Sequence, residues 1–180
     1  IGQGVEKNTA RATLLLYAAA MRGAVQAMKE LEEMAEASGT RHQAVLFGQR
    51  LDTTSRTSMR QALSKANMPT VRQDDAYICD LYAPGPLVPG ARQMALCYGP
   101  GRPSRLGFVE LDYAAPHKDT AQSLVQMLGE RFGPPAATEG DSEHIWNLGT
   151  VIVATRHDPE QQTLSLMYMV PAVYHLTRQD

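Results

Sequence analysis

Cysteine is scarce in this 180-residue chain: there are two, Cys79 and Cys97. No Cys-x-x-Cys pair occurs, which removes a tetrahedral zinc site and a thioredoxin-like redox motif. Long apolar runs are also missing. The longest, Leu14 to Met21, has eight residues, against the roughly 20 that a bilayer-crossing helix needs, so no transmembrane segment is expected. The first residues show no basic start followed by an apolar stretch and a small-residue cleavage site. No excess of positive charge exists either. A net charge of −2 argues against a general nucleic-acid binder. Catalytic signatures are equally thin. There is no Gly-x-Ser-x-Gly elbow, neither phosphate-cradle glycine spacing occurs, and no histidine pair stands at helical spacing four.

What is present is the composition of a single folded domain: 43% apolar and 20% charged residues, enough for an ordinary core and too little charge for disorder. The charge is unevenly placed. Residues 40–72 carry Arg41, Arg50, Arg56, Arg60, Lys65 and Arg72 against Asp52 alone, while residues 73–180 are acidic. A basic segment joined to an acidic body can neutralise itself in the fold or face an anionic partner.

Residues 8–38 read as one amphipathic helix. Asn8 or Thr9 caps the start, Gly39 stands at the left-handed C′ position, and Leu14, Ala18, Met21, Val25, Met28 and Ala35 mark one apolar face. Residues 44–51 read as a short strand. Asp52, Thr53, Thr54 and Ser55 then offer N-caps to a helix ending near Ala66 ahead of Pro69, with Met59, Ala62, Leu63 and Ala66 inward. Strands 76–83 and 92–98 flank the loop Pro84 to Gly90. A strand follows at 105–113, in which Val109, Leu111 and Tyr113 oppose Phe108, Glu110 and Asp112. Asp119 and Gln122 cap a helix at 119–132 with the stripe Ala121, Leu124, Val125, Leu128 and Phe132, which Gly133-Pro134-Pro135 ends. Strands at 143–148, 150–156 and 162–170 complete the chain.

The pattern predicts an α+β fold: a long N-terminal helix (residues 1–39) followed by a 40–180 domain with an antiparallel sheet and two further helices. The strand-helix-hairpin order at 44–104 recurs at 105–170 and suggests a tandem duplication. The stretch Leu51 to Leu63, with its hydroxyl caps before a short helix and the antiparallel strands after it, resembles bacterial envelope domains of the SmpA/BamE and β-lactamase-inhibitor-protein type. That resemblance rests on element order over about residues 44–170 and carries over no functional residue. It implies a helix-pair-on-sheet module that acts by binding other proteins.

Cys79 and Cys97 are symmetric about Val88, at the centre of the Pro/Gly loop. A symmetric hairpin places them opposite each other, within disulfide range. A bond there implies an oxidising compartment, hence a periplasmic or secreted protein. Two reduced, buried cysteines and a cytoplasmic protein are the alternative. His42, His117, His144, His157 and His175 are scattered, with no metal spacing, so no metal or other cofactor is expected. Asp74-Asp75 and Glu110/Asp112 are the carboxylate pairs from which acid–base chemistry could be built; the plainer reading is a solvated face. Met167 and Met169 share one strand face, and methionine suits both irregular cores and adaptable binding surfaces.

Function is expected to be non-catalytic: a protein–protein interaction module of the bacterial envelope. A single helix of about 45 Å overhangs a domain of this size. The face formed by Leu14, Ala18, Met21, Val25 and Met28 is therefore the expected contact, with a protein partner or with a second copy in a homodimer. The alternatives are a small-ligand or lipid-binding domain using a pocket between sheet and helices, and a hydrolase with a site that matches no motif.

Overall fold

The computed structural model describes residues 3–114 and 118–178, with side chains from residue 9 onward. The chain is α+β, with helices first. Helix α1 (Gln3–Ala20) and helix α2 (Val25–Ser38) stand where a single helix was expected. Gly23 breaks the run. Its φ of +93° is left-handed backbone, and a Cβ there would meet the His175 ring at 2.9 Å. The chain reverses across Met21–Ala24, and α1 packs on α2. At about 27 Å and 21 Å the two helices have no reason to overhang. Asn8 and Thr9 also lie within α1, which starts five residues earlier than expected. Gly39 ends α2 in the left-handed conformation, as its position implied.

The strand expected at 44–51 is a tight hairpin, β1 (Val45–Leu46) and β2 (Gln49–Arg50), separate from the main sheet. Phe47 and Gly48 both take positive φ, the twist that a two-residue hairpin turn requires. Of the four candidate caps, Ser55 caps helix α3 (Arg56–Lys65), its hydroxyl accepting from the Ser58 N–H at 3.2 Å. A meander follows: β3 (Thr70–Arg72), β4 (Cys79–Tyr82), β5 (Ala91–Tyr98) and β6 (Leu106–Ala114). Helix α4 (Lys118–Phe132) precedes a second meander: β7 (Ala137–Glu139), β8 (Glu143–Asn147), β9 (Ile152–Asp158) and β10 (Thr163–Met169). Asp119 lies inside the first turn of α4, which begins at Lys118. A short helix α5 (Pro171–Tyr174) and a 3-10 turn (His175–Arg178) close the described chain.

The ten strands among the described residues form the small hairpin and one eight-stranded sheet ordered β3-β4-β5-β6-β10-β9-β8-β7. The last strands of the two meanders, β6 and β10, pair antiparallel at the centre. Each half of the sheet is a four-stranded meander preceded by a helix, α3 with β3–β6 and α4 with β7–β10. β6, expected to open the second half at residue 105, closes the first. The frame shifts because the three-residue strands β3 and β7 are too short to show periodicity, and β7 follows a Gly-Pro-Pro sequence that reads as loop.

Two cores sandwich the sheet in a three-layer arrangement. On one face α3 and α4 pack onto Tyr82, Met94, Leu96, Val109, Leu111, Trp146, Val153, Leu166 and Tyr168. The expected stripe of α4 lies there, with Val125 at its margin. On the other face α1, α2 and α5 pack onto Ala137, Ile145, Ile152, Ala154, Met167 and Met169. The two strand methionines are core. Asn147 ties α2 to this layer, its side-chain amide donating to Leu31 O at 2.7 Å. The final turn lies so close to β5 and β6 that a Cβ on Gly99 would meet Val173 at 2.6 Å, and one on Gly107 would meet Thr177 at 2.7 Å.

Candidate functional site

Cys79 and Cys97 are opposite each other in the β4–β5 register and form a disulfide, their Cα atoms 4.0 Å apart. The neighbouring pair carries the hydrogen bond: Tyr98 N–H donates to Ile78 O at 3.1 Å. That leaves the cysteines in the non-hydrogen-bonded position, where side chains stand closest. Closing a loop of this length contributes about 3 kcal/mol. The bond lies on the same face as Leu81 and Ala95, beyond the helices that cover β7–β10.

The opposite face of β4 carries Asp80, which is fully buried. Arg56 and Arg60, one helical turn apart on α3, converge on it. Arg56 donates from Nη2 to Asp80 Oδ1 at 2.6 Å and from Nε to Oδ2 at 3.3 Å. Arg60 donates from Nε to Oδ2 and from Nη2 to Oδ1, both at 2.8 Å. One carboxylate thus accepts four charge-assisted hydrogen bonds from two guanidinium forks. Burial by itself would raise the Asp80 carboxyl; the bonds from Arg60 and Arg56 outweigh it and hold the group below its ordinary range. Arg60 also donates from Nη1 to Asp75 Oδ1 at 2.8 Å, while the Asp75 side chain stays 82% exposed. Asp74 makes the turn that presents Asp75, its carboxylate accepting from the Ala76 N–H at 2.8 Å.

Above this cluster opens a cleft of about 690 Å3 between α3, residues 75–78 and the Gly99–Ser104 turn. Arg56 lies over the Tyr98 ring, 5.1 Å from its centroid. Tyr98 is 3% exposed, burial pushes its phenol well up, and its hydroxyl has no hydrogen-bond partner among the described residues. Exposed Tyr77 and Ile78 stand on the rim. Arg102 lies across from them and has no ion-pair partner among the described residues. The arrangement offers fixed positive charge beside aromatic and aliphatic surface. The carboxylates of Asp75 and Asp80 beside it are both ion-paired with Arg56 and Arg60.

Of the residues expected to form a contact face on the first helix, Leu14, Met21 and Met28 pack toward the second core, while Ala18 and Val25 are exposed. The overhang from which that face was inferred is gone, because α1 and α2 fold back on each other. Glu110 and Asp112 are partly buried rather than on a freely solvated face, and Ser165 donates to Asp112 at 3.0 Å. Burial, then the nearby Asp112 charge, raises the Glu110 carboxyl. Among the described residues, which include His42, His144, His157 and His175, no group of three or more metal-ligating side chains converges. His117 lies outside the described residues. No described helix is long and apolar enough to cross a membrane.

Arg56 and Arg60 are visible in the sequence as part of a basic segment, without any role evident for Asp80 or Tyr98. The usable signal was the spacing of four between the arginines, followed by an aspartate inside a strand pattern. A charge there must either face solvent or meet cations.

The fold and the site define an α+β protein with a helix-flanked eight-stranded sheet and a basic, aromatic-rimmed cleft at one edge. No family model matches the sequence, and no curated protein sequence matches it. Among solved structures the chain is similar to that of a DUF4309 family protein, YjgB, from Bacillus subtilis. The identity is 12% and the TM-score 0.40, over 77% of this chain and 95% of that one.

Proposed function

We propose that the protein is a non-catalytic binding module of the bacterial envelope, and that it recognises an acidic segment of another protein in the cleft between α3 and the Gly99–Ser104 turn. The observation that carries this reading is the pair of guanidinium groups locked by a buried carboxylate at the base of an open cleft. Because Asp80 holds both forks in place, a ligand meets them without the usual ordering cost of long side chains. Asp75 occupies the outer edge of Arg60 while largely in water, so an incoming carboxylate can take its place. Tyr77 and Ile78 add the aromatic and aliphatic contact that interface centres favour, and Arg102 adds unpaired charge. The disulfide supports an oxidising location, periplasmic or secreted.

The test is fluorescence anisotropy of the full chain with a labelled, glutamate-rich peptide containing leucine. Binding is expected to weaken as salt rises and to fall about tenfold or more in Ile78→Glu and in Arg102→Glu. Met127→Glu, on the exposed side of α4, should leave it unchanged. No binding at millimolar peptide, or binding untouched by both cleft variants, refutes the reading.

A further inference from the structure

A second cavity, distant in role from the arginine cleft, lies between α4 and the sheet where β8, β9 and β10 meet. It measures about 270 Å3. His144 is paired opposite Thr155, and His157 opposite Leu164, so these side chains project from adjacent strands toward α4. Thr155 is 1% exposed and its hydroxyl has no hydrogen-bond partner among the described residues; the His157 Nε2 is likewise buried and unpartnered there. The backbone around them is satisfied, since His157 N–H donates to Ser142 O at 2.8 Å. Two orphaned polar atoms on one cavity wall are costly in an otherwise well-bonded sheet.

The remaining walls set the chemistry of what would satisfy them. Ala121, Val125 and Leu164 make an apolar side, and Lys118 stands at the edge of the cavity with Asp141, 3.2 Å away. A group that accepts from the Thr155 hydroxyl and from a His157 Nε2 proton, carried on a short hydrocarbon body, meets both walls. We infer that this cavity is a binding site for a small monocarboxylic acid, its carboxylate on Thr155 and His157 and its hydrocarbon against α4. The site is independent of the cleft proposed for the protein partner, since the two share no residue.

Benzoate and hexanoate serve as probes, titrated into the full chain while the imidazole nitrogens of all histidines are followed by NMR. Saturable shifts at His157 are expected, with His175, on the other face of the sheet, unmoved. Thr155→Val separates a ligand site from a structural one. Because the hydroxyl has no partner among the described residues, the variant should be as thermostable as the parent or more so, yet bind either acid about tenfold more weakly. Absence of saturable shifts with both acids at millimolar concentration overturns the proposal. So does a Thr155→Val protein that is clearly less stable, because its hydroxyl then already has a partner. Met127→Ala controls for general effects on α4 and should change neither readout.

Discussion

Helices α3 and α4 hold equivalent places, each ahead of a four-stranded meander and each on the same face of the sheet. Their interfaces are nonetheless made differently. α4 lays Ala121, Leu124, Leu128 and Phe132 on the strands, while α3 adds Arg56 and Arg60 to Met59 and Leu63 and places both on buried Asp80. A buried ion cluster rarely stabilises more than apolar side chains of the same volume, because desolvating the charges offsets their attraction. The apolar half shows that this topology does not need charge to hold a helix on the sheet. The arginines of α3 therefore have their explanation at the outer edge of the interface, where they form the base of an open cleft.

That contrast can be broken most forcefully at Asp80. Asp80→Ala leaves two guanidinium groups without their carboxylate and should cost about 3–5 kcal/mol in urea unfolding. Replacing the whole cluster with Arg56→Met, Arg60→Leu and Asp80→Leu should recover most of that loss while abolishing binding of the acidic peptide. If the triple variant is as unstable as the single one, the cluster is structural and the two halves differ for reasons of packing. The acid limb of stability carries the same information. Asp80 is lowered in the folded state, so its contribution is complete above the unfolded value of about 3.9 and is lost as the pH falls through the lower folded value. Asp80→Ala should flatten that limb.

In the apolar half, Leu128→Ala should cost about 2–5 kcal/mol, since Leu128 is 2% exposed at the centre of the α4 stripe. Unlike the Asp80 loss, this one should show no dependence on pH between neutrality and acid. A loss under about 1 kcal/mol would mean that α4 does not anchor its half of the sheet.

The smallest effect is expected at Glu110 on the second face. Its carboxyl is raised, so ionisation at neutral pH opposes folding, and the opposition is relieved as the pH falls through the raised value. Glu110→Gln should raise the midpoint of thermal unfolding slightly at pH 7 and leave it unchanged in acid. A lower midpoint at pH 7 would show that the charge is used by a contact on that face.

Most of the secondary structure was legible where periodicity ran long. The α4 stripe, the alternation of β6 and the Pro/Gly loop between β4 and β5 each span enough residues for burial to leave a pattern. The disulfide was legible for a related reason: a hairpin symmetric about its loop fixes which residues face each other. The helix break at Gly23 was not, because a single glycine in an otherwise apolar run is compatible with a continuous helix until something packs against the turn. Here that is the ring of His175, from the far end of the chain.

The class, the helix-first order, the main apolar stripe and the cysteine pairing are thus properties of the sequence by itself, because each depends on residues close in the chain or symmetric about one turn. Tertiary structure alone decided that the N-terminal segment is a folded-back pair covering the second face of the sheet, that β6 meets β10 at the centre, and that Asp80 receives Arg56 and Arg60. Those features depend on contacts between segments far apart in sequence. Spacing along the chain carries no trace of which carboxylate a given arginine will reach.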